Sequence, residues 1–154
     1  MSLSEETLQS HRKSLIFHIS AMAGLIVLVI AVLMLQRSGA SRLLSESPAP
    51  VLRYLFYAAA VVTIFTVRLL HNALIRRALR GHPQKILNRL QKASIWTAAL
   101  CEIPALLGLM FFLLTGTSRD FYFLLILSLI LFFMYFPKKI QWQTADGRIR
   151  ASRT

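Results

Sequence analysis

Four long, apolar and nearly uncharged stretches leave few folds open to this chain of 154 residues. A helix needs roughly 20 mostly apolar residues to cross about 30 Å of hydrocarbon, and four runs approach or reach that length: 15–35, 51–70, 93–114 and 121–136. With no water in a bilayer core, every backbone N–H and C=O within such a run must be bonded internally, which selects helices. Composition agrees: 56% of the residues are hydrophobic and only 16% are charged, an unusual balance for a water-soluble domain. The expected fold is all-α, an integral membrane four-helix bundle of two hairpins spanning residues 15–137. The first run contains no charge. The second has Arg53 and Arg68 near its ends, from which long side chains reach back to headgroups. The third and fourth are joined by the polar turn "TGTSRD", which makes them an adjacent antiparallel pair.

The rival reading of the first run is a cleavable signal peptide, since Arg12 and Lys13 precede it and Ser38-Gly39-Ala40 loosely fits a cleavage site. Its apolar region exceeds the roughly 7–15 residues of such signals, so a span is expected.

The net charge of +12 is unevenly distributed. The segment 71–92 carries Arg76, Arg77, Arg80, Lys85, Arg89 and Lys92 without an acid, and Lys138, Lys139, Arg148, Arg150 and Arg153 follow the fourth run. The connections after the first and third runs are far poorer in Lys and Arg. Because Lys and Arg accumulate on cytoplasmic loops, both termini and the central loop are expected inside. The six basic residues of 71–92 are candidate contacts for anionic lipid headgroups. No aromatic interleaving or recognition motif points to nucleic acid as a partner. Residues 1–14 form the N-terminal segment, and the polar, basic tail 138–154 is expected to be disordered. Tyr54, Tyr57, Trp96, Tyr135 and Trp142 lie near run ends and suit interfacial anchoring.

Glu102 is the one charge in the third run, and the helical rise from Ala93 places it about 13–14 Å into the membrane. An ionised carboxylate at that depth costs at least about 2.5–3.5 kcal/mol, so the group should be protonated, paired, or turned toward protein or a water-filled cavity. Ala98, Cys101, Glu102, Ala105 and Gly108 share one side of the helix, a small-residue packing stripe where another backbone can approach. Pro104 cannot donate to the carbonyl of Leu100, which leaves a free carbonyl near the carboxyl. Cys101, Glu102 and Pro104 are therefore the candidate intramembrane site. Three roles stay open for it: interhelical hydrogen bonding, with Thr63, Thr66, His18 or Ser20 as partners; a proton or ion site; and a seat for a partner subunit or lipid.

No soluble catalytic constellation, phosphate loop or nucleophile elbow occurs. The four histidines are scattered in sequence, and the single cysteine lacks metal-ligand spacing. His18 reads as a packing residue, with haem ligation or proton relay as the alternative. No catalytic residue, metal or cofactor is expected.

The stretches "KILNRLQKASIWTAALCEIPALLGLMFFLLTG" and "FYFLLILSLILFFMYFPKK" resemble a family of small four-span bacterial membrane proteins of unknown function, at Ala93, Ile95, Ala99, Glu102, Leu114, Thr115 and Pro137. That resemblance implies a bacterial inner membrane and no established activity. Glu102 with Gly108 is also similar to the mid-membrane carboxylate of the proteolipid subunits of rotary ATPases, although there the carboxylate lies on the second helix of a hairpin. Small multidrug exporters share the four spans and a membrane glutamate, but theirs lies in the first span. The leading expectation is a non-enzymatic membrane protein acting as a homo-oligomer or accessory subunit, with a proton- or cation-handling component built on Glu102 as the alternative.

Overall fold

The computed structural model describes residues 4–38, 49–79 and 86–151. They form five helices: α1 (Glu5–Ser38), α2 (Ala49–Leu79), α3 (Ile86–Thr115), α4 (Ser118–Met134) and α5 (Lys139–Ala151). The helix limits follow local chemistry. Glu5 and Glu6 stand in the first turn of α1 and Arg37 in its last, each complementing the helix dipole. Pro50 occupies the first turn of α2, where a missing N–H costs nothing. Gly116 ends α3 at φ 71°, a left-handed conformation suited to glycine, and its N–H donates to the carbonyl of Phe112 at 2.7 Å.

Four helical stretches are long and apolar enough to cross a membrane: Glu5–Ser38, Pro50–Ala78, Ile86–Thr115 and Ser118–Ile149. The outer surface agrees. Ile26, Val27 and Met34 of α1, Val62 and Phe65 of α2, and Phe123 and Phe133 of α4 are all exposed. So broad an apolar exterior is rare on soluble proteins and fits a multi-pass membrane protein.

Helix α3 is the hub, packing against α1, α2 and α4. It forms the expected adjacent pair with α4, where Phe121 and Leu124 close on Gly108. The first hairpin is a correction: among the described residues α1 and α2 do not pack together as a pair, and each lies on α3 instead. The reason lies in the buried stripes. On α2 the stripe Phe56, Ala60, Thr63 and Val67 faces α3, with Phe56 edge-on to Phe111 at 5.5 Å. On α1 the buried residues Thr7, His11, Ser14, His18, Leu25 and Val32 form another stripe, and Ser14 reaches Ser94 of α3.

The C-terminal tail is a second correction. Residues 139–151, expected to be disordered from their polar and basic composition, form α5. Pro137 follows α4 and prevents its direct continuation, after which Trp142, Ala145 and Ile149 recur on one helical face. That face packs with Ala78, Ile86 and Leu90, so Trp142 is buried and not an exposed interfacial anchor. Ser4 and Thr7 donate to Asp146 Oδ1 at 2.5 and 3.0 Å. The start of α1, the end of α2, the start of α3 and all of α5 therefore gather at one end of the molecule.

Candidate functional site

Glu102 lies within the unbroken length of α3, half-buried, with Pro104 buried in the next turn. Its carboxylate faces α1: a Cβ built on Gly24 would lie 3.9 Å from Glu102 Oε1. Cys101, Ala98 and Ala105 are buried, and Gly108 turns toward α4. At about 100° per residue, Glu102 falls at the margin of the α1-facing side of α3, next to the arc that exposes Trp96, Leu106 and Met110. Ser128 of α4 donates to the carbonyl of Cys101, so the turn weakened by Pro104 is held from a neighbouring helix.

The residues expected to bond Glu102 are otherwise engaged or turned outward. Thr63 and Thr66 each donate to a carbonyl of their own helix, those of Ala59 and Val62, both at 2.8 Å. His18 Nδ1 donates to the carbonyl of Ser14 at 3.1 Å, which leaves Nε2 as the second nitrogen of the ring. Ser20 is exposed.

A second set of polar side chains occupies the space between Glu102 and the α5 end. Thr97 donates to Ala93 at 2.8 Å, so its oxygen accepts from His71 Nδ1 at 3.2 Å. Ser14 and Ser94 meet at 2.5 Å. His18 is buried edge-on against Phe132 and Phe136. His11 stands edge-on to Trp142 at 5.5 Å, and its buried Nε2 has no partner among the described residues. Two of the histidines that look scattered in sequence fall together here: Thr7, His11, Ser14 and His18 recur at intervals of four, three and four residues, which puts them on one helix face. That spacing was the available signal. Beyond His18 the same buried stripe becomes apolar, at Leu25 and Val32.

The opposite end holds a compact ionic site. Asp120, in the first turn of α4, is buried and accepts from Arg53 Nη2 at 2.6 Å and Tyr57 OH at 2.5 Å. These groups line a cavity of about 440 Å³ with Tyr54, Phe111 and Thr117. Arg53 was expected only to reach for headgroups, and Tyr57 only to anchor. Asp120→Ala is expected to destabilise the protein by about 2–3 kcal/mol, because charge-assisted bonds are lost and Tyr57 is left without its acceptor. Asp120→Asn should cost less, since the amide oxygen still accepts. Denaturant unfolding in detergent, followed by circular dichroism, measures both.

Of the basic candidates, Arg76, Arg77, Arg89 and Lys92 are exposed on α2 and α3, while Arg80 and Lys85 lie outside the described residues, as does the connection 39–48. Among the described residues no group of three His, Cys, Asp or Glu side chains is arranged to hold a metal ion. No protein-family model, curated protein or solved structure matches the chain. The reading of the site rests on its geometry.

Proposed function

We propose that the chain is a multi-pass membrane protein that handles protons or small cations at Glu102, reached from the end that carries α5 and the basic loop. The charge bias assigns that end to the cytoplasm, with both termini on the same side. A bacterial inner membrane as the location rests on the resemblance of residues 85–139.

The observation that carries this reading is the placement of Glu102: a half-buried carboxylate against Gly24, in mid-span, whose expected neutral bonding partners Thr63, Thr66 and His18 donate to carbonyls of their own helices. A carboxylic acid retained only as interhelical glue needs such a partner. An ionisable group in mid-span that makes no hydrogen bond among the described residues is the usual mark of an ion or proton pathway. The polar stripe on α1 supports access from one side. His18 is separated from Gly24 by about 9 Å of helical rise, and Ser14, His11 and Thr7 continue from it to the molecular end. Toward the opposite end, Phe111 and Phe112 are buried on α3 beyond Glu102, and the polar groups there, Arg53, Tyr57 and Asp120, are bonded to one another.

The test is proton flux into liposomes containing the purified protein, with the membrane potential clamped and an internal pH dye. Wild-type protein is expected to conduct above protein-free liposomes, and Glu102→Gln to fall to their level while unfolding unchanged in detergent. Gln keeps the hydrogen-bonding capacity and removes the titratable proton, so it separates a carrier from glue. Flux that persists in Glu102→Gln, or wild-type flux equal to the protein-free control for protons, Na⁺ and K⁺, overturns the proposal.

A second reading, a non-enzymatic homo-oligomer or accessory subunit, is favoured by the open arc of α3, where Trp96, Leu106 and Met110 remain uncovered between α1 and α2. Native mass spectrometry from detergent separates it: a defined oligomer without flux supports assembly as the main role.

A further inference from the structure

A groove of about 560 Å³ runs between the end of α2 and the beginning of α3, outside the polar stripe and remote from the Asp120 cavity. Its apolar lining includes Leu74, Ala78 and Trp96, and Arg77, Arg89 and Lys92 stand around it. Among the described residues no carboxylate lines the groove. The acids described at this end, Glu5, Glu6 and Asp146, belong to α1 and α5. Along α3, Arg89, Lys92 and Trp96 succeed one another at intervals of three and four, so they lie on one face at increasing depth. The exposed arc then continues through Ala99, Leu106 and Met110.

We propose that this groove is a binding site for one anionic phospholipid. Its phosphate is held by Arg77, Arg89 and Lys92, its glycerol region lies beside Trp96, and an acyl chain follows the exposed arc of α3. The order of chemistry along the groove matches that of the lipid: cations first, then an interfacial tryptophan, then an apolar track. Arg and Lys together provide forked and point-charge donors for phosphate oxygens. The charge also decides between occupants. A second copy of the chain brought to this face through a twofold contact would set these three cations against their own equivalents, whereas an anionic lipid neutralises them. The proposal is independent of Glu102, since it involves neither that carboxylate nor flux.

Tryptophan quenching tests it directly. Trp96 is 63% exposed in the groove, while the other tryptophan, Trp142, is buried at 1% on the inner face of α5. The purified protein in neutral detergent micelles is titrated with phosphatidylglycerol brominated on its acyl chains, and separately with equally brominated phosphatidylcholine. The anionic lipid is expected to quench at a much lower mole fraction than the zwitterionic one, and Trp96→Phe to abolish that quenching. Arg77→Gln, Arg89→Gln and Lys92→Gln should each lower the preference by about fivefold, and the triple variant should make the two curves coincide. Arg76→Gln, which removes an exposed charge outside the groove, should leave the preference nearly intact. Circular dichroism checks folding, and the single variants carry the test if the triple variant does not fold. Coincident curves in wild type overturn the proposal, as does an equal loss in Arg76→Gln. Competition by millimolar inorganic phosphate as effective as the lipid would assign the cations to a free anion and overturn the lipid assignment.

Discussion

Trp142→Ala is expected to destabilise the α5 end by about 3–5 kcal/mol, the usual cost of truncating a fully buried large aromatic side chain. Trp142 is 1% exposed, stands edge-on to His11 and packs with Ala78, Ile86 and Leu90, so its removal empties the contact through which α5 holds α1, α2 and α3. The loss should be local before it is global. Helix α5 is short and bears Lys139 and Arg148, so limited trypsinolysis reports its opening. Rapid cleavage there in Trp142→Ala, with α1 to α4 intact, is the expected pattern; Trp142→Phe should fall between the variant and wild type. An unchanged cleavage rate would mean that Asp146 and its hydroxyl donors alone hold α5 down.

Gly108→Leu is expected to separate α4 from α3. A Cβ at Gly108 would lie 3.1 Å from Leu124 Cβ, 3.2 Å from the carbonyl oxygen of Phe121 and 3.3 Å from Phe121 Cα. Two of those atoms are backbone, so relief requires the helices to move and not merely a rotamer change. Gly108→Ala should cost about 1–3 kcal/mol by overpacking, and the larger leucine should exceed that. Cys101 is the single cysteine and is buried, with its carbonyl bonded by Ser128 of α4. Its labelling by a maleimide is therefore a direct reporter: slow in wild type, rapid in Gly108→Leu. Gly24→Ala is the contrasting control, because the atom closest to its new Cβ is Glu102 Oε1 at an ordinary 3.9 Å. Slow labelling in Gly108→Leu would show that α4 can shift without uncovering Cys101.

The two predictions concern features of very different visibility in the sequence. Four long helices were legible because length and continuous apolarity are sufficient signals, and the α3–α4 pair was legible from its short polar turn. Helix pairing beyond that was not. A helix that is apolar on all sides carries almost no periodic signal for which face meets a neighbour, so the assumption that α1 pairs with α2 had only chain order behind it. Helix α5 was missed because three apolar side chains, Trp142, Ala145 and Ile149, were outweighed by their basic and polar neighbours. The position of Glu102 in its run was plain from counting, but its approach to Gly24 depends on a register between α1 and α3 that no local pattern specifies. The Arg53–Asp120 pair joins residues from different helices, and each had a sufficient explanation as an end charge. By contrast, the intervals of Thr7, His11, Ser14 and His18 were readable and went unread because histidines were sought as metal ligands and not as one face of a helix.

The central position of α3 has a consequence for biogenesis. The chain is made from its N-terminus, and among the described residues α1 and α2 do not pack together as a pair; each finds its principal surface on a helix synthesised later. Until α3 is made, α1 and α2 lack the helix on which each principally packs. The bundle can therefore close only after α3 has emerged and given both helices their shared surface.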